Sequence, residues 1–299
     1  MNHVEALIRP NRLAEITPAS LSRFQAELRA KGLKETSIAT HLKHLRAALG
    51  WAKSIGLIAT VPVFNLPKRV RGAKMMRGRP VTPEEFDRML ETIQSIVGAK
   101  AAASWRHYLQ GLWWSGLRLG ESLEVYWDRD DRLCVDLSGK FPMLRIPAEF
   151  EKGNQDRLLP MAPEFAKFLF ATPGHDRIGL VFKLIGLRGQ PSKRDEDWVS
   201  RVVARIGKAA AVKVNTDPTN GKIKYASAHD LRRSFGERWA HRIMPQLLKE
   251  LMRHESIETT MRYYVGSNSQ LTAEALWRCM SLEAAADSGD DTQGLKLLG

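Results

Sequence analysis

The chain has 299 residues, 43% of them hydrophobic, and no run of eighteen apolar residues, which excludes a helical membrane span. Its formal charge of +13 argues against a basic partner and for a polyanionic one. Cys134 and Cys279 lie far apart with no Cys/His metal spacing, which excludes a disulfide framework and a structural zinc site and fits a reducing, cytoplasmic setting.

The charge is unevenly spread. Residues 1–80 hold 15 Lys/Arg against 4 Asp/Glu, and the remaining residues 31 against 29. The opening "MNHVEALIRPNRL" lacks the apolar core of a signal peptide. Thr17 then reads as an N-cap and Pro18 as the first helical residue, with Leu21, Phe24 and Leu28 on one face and Gly32 as the stop. A second helix starts near Glu35. Ile38, Leu42, Leu45, Leu49 and Ala52 step at helical spacing, and Lys43, Arg46 and Lys53 occupy another face. An ordinary amphipathic helix explains the apolar stripe whatever the function. His41 and His44 sit three apart on this helix without a third ligand, so a solvated or DNA-facing surface explains them better than a metal.

Between residues 67 and 83 the sequence "PKRVRGAKMMRGRPVTP" combines Pro/Gly punctuation with six basic residues and no acid: Lys68, Arg69, Arg71, Lys74, Arg77 and Arg79. A solvated linker explains the Pro and Gly. Six uncompensated charges suit a segment passing close to phosphates. The expected organisation is a helical domain over 1–67, a basic linker over 68–80, a second domain over 81–282 and a flexible tail over 283–299.

The second domain opens with "TPEEFDRMLETIQS", another helix start, followed by a Trp- and Leu-rich helix at about 100–115 in which Trp113 and Trp114 read as core. "RLCVDLS", "MLRIPAE" and "DRLLPMA" read as three short strands within 131–161. Helices resume at 163–171, at 195–212, and from 228 to about 282. The fold class is mainly α with a small antiparallel β-sheet.

Four segments carry polar residues where packing alone would not put them. "SGLRLGE" sets Arg118 after a glycine turn at a helix junction, and "EKGNQDRLLP" sets Lys152 at a hairpin turn. "SAHDLRRSFGERWA" gathers His229, Arg232 and Arg233 at a helix start, where the backbone amides already make a positive end. "LMRHESIETTMRYY" supplies His254, Tyr263 and Tyr264. Cations at a helix N-terminus suggest that an anion is meant to sit there. Taken singly, each fragment has an ordinary explanation as surface charge or packing.

Together and in this order, the four segments resemble the boxes of the tyrosine recombinase (phage integrase) family. The resemblance covers residues 80–282, and residues 12–70 resemble that family's core-binding domain less specifically. It implies a helical DNA core-binding domain, short at its N-terminus, and an α+β catalytic domain. Two departures stand out. The stretch "VNTDPTNGKIKYAS" is longer and more polar than the family's usual segment, and Met252, two before His254, stands where a glycine is common.

The resemblance also implies roles that the chemistry supports. Arg118 and Arg232 would fork onto the oxygens of a scissile phosphate. His229 and His254 would add donors or assist a proton, Lys152 would protonate the departing 5′ oxygen, and Tyr263, nine after His254, would attack. Tyr264 is then a packing neighbour. Glu121 is a candidate buttress for Arg118, and Arg233, about 100° round the helix from Arg232, reads as a salt-bridge residue. No metal and no cofactor is required.

The implied activity is site-specific DNA recombination through a 3′-phosphotyrosyl link. The partner is double-stranded DNA, bound by a homotetramer holding two sites, in a bacterial, nucleoid-associated setting away from membranes. The helix at 271–280 would dock on a neighbouring subunit or on its own. Alternatives are a type IB topoisomerase-like relaxation enzyme and a non-catalytic, decayed integrase that only binds DNA. The presence of all six catalytic residue types argues against the last.

Overall fold

Thr17 starts the first long helix as its residue types require: its hydroxyl accepts from the Ser20 N–H at 3.2 Å, while the Ser20 hydroxyl accepts from the Thr17 N–H at 2.9 Å. The computed structural model describes residues 2–67, 78–150, 156–189, 195–217 and 220–264, and the chain divides into two compact units, Met1–Met75 and Met76–Gly299.

The first unit contains α1 (Asn2–Leu7), α2 (Pro18–Ala30) and α3 (Glu35–Ser54). Both expected helices are present, and the first sixteen residues add the short α1. Leu21, Phe24 and Leu28 of α2 pack against Ile38, Leu42 and Leu49 of α3, all buried. Each such side chain contributes roughly 1.5–3 kcal/mol by leaving water. The Gln25 amide donates to the Asn65 carbonyl at 3.1 Å and ties the extended segment after α3 to α2.

The second unit begins with α4 (Pro83–Val97), where Thr82 and Glu85 form a reciprocal cap, and α5 (Ala99–Ser115). Next come α6 (Leu119–Leu123), β1 (Val125–Tyr126), β2 (Leu133–Asp136), β3 (Met143–Ile146) and β4 (Arg157–Pro160). They are followed by α7 (Pro163–Phe170), α8 (Glu196–Ala209), β5 (Lys213–Thr216) and β6 (Ile223–Tyr225). The described chain closes with α9 (Ala228–Ala240), α10 (Pro245–Leu251) and α11 (Ile257–Met261). The fold is mainly helical, with a four-stranded sheet ordered β1-β2-β3-β4 and a separate β5–β6 hairpin.

The expected three strands pair antiparallel, with Cys134 opposite Arg145 and Leu144 opposite Leu159. β1 adds a parallel edge to β2, so the sheet is mixed. Helix α5 is the hub of this unit. Trp105, Tyr108 and Leu112 are buried in it, Trp113 stacks on Phe86 of α4 at 4.3 Å, and Trp114 is partly buried against the same core. The Trp105 ring N–H donates to the Ile185 carbonyl and the Tyr108 hydroxyl pairs with Ser122, so the buried polar atoms of both aromatics are satisfied. No helix among the described residues is long and apolar enough to cross a membrane.

Candidate active site

Helix α5 must stop before Arg118, and Gly116 stops it in the left-handed conformation with φ +62. A Cβ at Gly116 would lie 2.3 Å from the Phe235 ring of α9, so this turn demands glycine for space as well as for backbone. The turn puts Arg118 at the cap of α6. Its backbone N–H and one guanidinium nitrogen both bond Glu121, at 3.0 and 2.7 Å. Its other terminal nitrogen donates to the Arg253 carbonyl at 2.7 Å. Glu121 thus does buttress Arg118.

Arg232 lies on α9, 6% exposed. Its guanidinium donates to two backbone carbonyls, those of Gly116 and Met252. These bonds stitch α9 to the α5–α6 turn and to the end of α10. They use two of the five guanidinium N–H groups. Burial above all, then the nearby Arg118, pushes Arg232 down to about 10, and Glu121 opposes. It remains charged at neutral pH.

His254 follows α10. Its Nδ1 shares a 2.9 Å hydrogen bond with the buried Thr260 hydroxyl, which leaves Nε2 for another partner. Its ring lies parallel to that of Tyr263, 5° apart in plane with centroids 6.0 Å apart. Burial, then Arg232 and Arg118, pushes His254 down to about 4, so it is neutral at neutral pH. His229 is likewise pushed down to about 4, by burial first and then by Arg233, although its surface remains exposed and solvent screens part of that effect.

Tyr263 is 7% exposed and seated in a notch on α9. A Cβ at Gly236 would lie 2.8 Å from the Tyr263 ring and 2.7 Å from the Met252 sulfur. Burial raises the phenol above its ordinary value, and Arg232 pulls it partly back. Tyr264 instead sends its hydroxyl to the Ile243 carbonyl at 2.7 Å, in keeping with a packing role.

The start of α9 amends the sequence reading. An anion does meet this N-terminus, and it belongs to the chain. Asp230, fully buried, accepts from the Ser227 backbone N–H at 3.0 Å and the Ser227 hydroxyl at 2.6 Å. It also pairs with Lys224 at 3.0 Å and with Arg233. Arg233 is therefore spent in an ion pair, as its position on the helix implied. Arg232, further along α9, meets backbone carbonyls and no carboxylate among the described residues, so its charge stays unmatched.

Lys152 lies outside the described residues. The strands flanking its segment, β3 and β4, are paired from Met143–Pro160 to Ile146–Arg157. Lys68, Arg69, Arg71, Lys74 and Arg77, and the helix expected at 271–280, are also outside them. Arg79 is described and forks onto Glu85 at 2.5 and 2.7 Å, so its charge is matched within the fold. Lys43, Arg46 and Lys53 are exposed along α3 of the first unit. No group of three or more His, Cys, Asp or Glu able to hold a metal occurs among the described residues.

Sequence reasoning missed Arg253 and Asp230. Arg253 offered no signal beyond its place beside His254. Asp230 could have been found as the third residue after Ser227, in the register of a capping box.

Residues 79–270 match the family described as the phage integrase family. The chain is similar in fold to a lambda integrase dimer bound to a COC′ core site, with 17% identity and a TM-score of 0.58 over 88% of this chain and 86% of that one. It is similar to the Tn1549 transposon integrase in complex with transposon right end DNA, with 18% identity and a TM-score of 0.57 over 93% and 92%. It is also similar to the XerH site-specific recombinase bound to a palindromic difH substrate, with 20% identity and a TM-score of 0.54 over 92% and 76%. No curated protein sequence matches the chain.

Proposed function

The chain belongs to the phage integrase family, and from that premise we propose that it is a site-specific DNA recombinase that cuts and rejoins strands through Tyr263. The observation that carries this reading is the convergence of separate segments on Arg232. Its guanidinium bonds the turn that presents Arg118 and the carbonyl of Met252, two residues before His254, and His254 in turn stacks on Tyr263.

In the proposed reaction the Tyr263 hydroxyl oxygen attacks the phosphorus of a phosphodiester. The P–O bond to tyrosine forms, the bond to the 5′ oxygen breaks, and the 3′ end stays on the protein. The tyrosine proton leaves to a neutral histidine, His229 or His254, or to a phosphate oxygen. Lys152 supplies the proton for the departing 5′ oxygen. Charge concentrates on the non-bridging oxygens, where Arg118 and Arg232 stand as fixed donors whose orientation needs no rearrangement. Rejoining reverses these steps with the 5′ hydroxyl of a second strand. The phosphotyrosyl link conserves the bond energy, so no nucleotide is consumed.

The raised phenol of Tyr263 means that it is not a phenolate at rest. Attack requires the ring to leave its notch as DNA binds, which joins cutting to DNA engagement. The first unit, with Lys43, Arg46 and Lys53 on α3, supplies phosphate contacts. A homotetramer holding two duplexes is the assembly that strand exchange requires.

The test is a map of covalent adducts. Wild type and Tyr263→Phe are incubated with fragmented DNA from the source genome and stopped with detergent, and the DNA retained on protein is sequenced. Adducts at a few inverted-repeat sites, absent from the variant, are the expected result. Scattered adducts would indicate a relaxation enzyme, and binding without adducts a protein that only holds DNA. Adducts that survive in Tyr263→Phe would move the nucleophile to Tyr264.

A further inference from the structure

Arg253 has φ +51, in the left-handed region that favours glycine, and it immediately precedes His254. Met252, at the end of α10, has ordinary helical backbone, so the sharp turn falls on the arginine that follows it. A side chain persists in that region only where its surroundings fix it. Here they fix it at both ends. The Arg253 carbonyl accepts from the Arg118 guanidinium at 2.7 Å. The Arg253 guanidinium lies 3.1 Å from Glu121, in an ion pair whose side chains are 14% and 18% exposed.

Glu121 is thereby shared. It bonds the Arg118 guanidinium, the Arg118 backbone N–H and Arg253. A carboxylate paired with Arg118 alone would cancel the charge that a phosphate needs. Two guanidiniums on one carboxylate leave the trio with a net positive charge, and they fix the carboxylate from both sides.

We propose that Arg253 is a positioning residue for Arg118: its carbonyl holds one guanidinium nitrogen, and its own guanidinium pins the Glu121 carboxylate that holds another. The proposal deepens the recombinase reading and rests on it for the role of Arg118. The charge around Glu121 agrees with this arrangement. Burial raises that carboxyl, but Arg253 first and Arg118 second bring it below the usual carboxylate range. Two further charged groups face this turn: Arg232, which bonds the Gly116 carbonyl and feels both Glu121 and Arg253, and Glu196 of α8, whose carboxylate would lie 2.8 Å from a Cβ at Gly120.

The test compares Arg253→Gly and Arg253→Lys with wild type. Glycine keeps the carbonyl and suits the backbone, so it removes the guanidinium alone. Expected for Arg253→Gly are a melting temperature no lower than wild type, unchanged DNA affinity, and cutting at the mapped site slowed at least about tenfold, as loss of preorganised charge predicts. The Glu121 carboxyl, followed by carbon NMR in the DNA-free protein, titrates at higher pH in Arg253→Gly and moves back toward wild type in Arg253→Lys. Wild-type cutting by Arg253→Gly, or an unmoved Glu121 midpoint, overturns the proposal. If wild type itself forms no adduct, the recombinase reading fails instead, and the Glu121 titration still decides whether Arg253 acts on this carboxylate.

Discussion

Arg232 and Arg233 are neighbours on one helix, both buried, yet the fold uses their charges in opposite ways. Arg232 is gripped by two carbonyl oxygens and makes no ion pair among the described residues. Arg233 is matched to Asp230, which also holds Lys224 and the start of α9. Backbone carbonyls orient a guanidinium without neutralising it, whereas a carboxylate does both. A count of basic residues therefore says little about where an anion binds; the kind of oxygen each one meets says more.

Four experiments break or sharpen this contrast. Arg232→Ala should lower adduct formation per folded molecule by roughly 10²–10³, the typical cost of one preorganised donor. Arg232→Lys, which keeps the charge and loses the fork, should recover little of it. Arg233→Ala should do the reverse. It strips one partner from a fully buried carboxylate and should cost about 3 kcal/mol in urea unfolding, while folded molecules cut at nearly the wild-type rate. Equal kinetic losses for the two alanine variants would erase the contrast.

A third experiment concerns pH. His229 and His254 are both pushed down to about 4 in the folded chain, from 6.5 in the absence of those surroundings. Between these values the unfolded chain binds more protons than the folded one, so stability is full above pH 6.5 and falls as pH drops toward 4. Urea midpoints across this range should show the fall, and His254→Gln should flatten part of it. A midpoint independent of pH would show that burial, aided by Arg233 at His229 and by Arg232 and Arg118 at His254, does not keep these imidazoles neutral.

The smallest effects concern DNA affinity. Replacing Lys43, Arg46 or Lys53 with alanine should each reduce the salt-dependence slope of DNA binding by about one if that residue meets a phosphate. Arg79→Ala should leave the slope close to wild type, because Glu85 already matches that charge. A full unit lost from Arg79→Ala would mean that DNA displaces Glu85.

Much of this was legible in the sequence, for identifiable reasons. Thr17-Pro18 and Thr82-Pro83 start helices through local hydrogen bonds, and the stripe from Ile38 to Ala52 needs only a period to be read. Three strands showed through Val, Leu and Ile runs between turns. β1, two residues long and parallel, has no such signature. The β5–β6 hairpin is masked by polar residues, since Lys213, Asn215 and Thr216 are exposed. The residue types at Arg118, Arg232, His254 and Tyr263 could be read, but not what holds them. The carbonyls of Gly116, Met252 and Arg253 leave no trace in the sequence, and a left-handed arginine looks like any other arginine.

The notch over Gly236 has a consequence for how often a mistake is made. On the role proposed for Tyr263, stray nicking of a genome scales with the fraction of time its ring spends outside that notch. Each 1.4 kcal/mol by which the seated pose is favoured thins that fraction tenfold. Gly236→Ala, which crowds the ring by 2.8 Å contact, removes the seat. On that role, a missing methyl group would set how often a strand is cut by mistake.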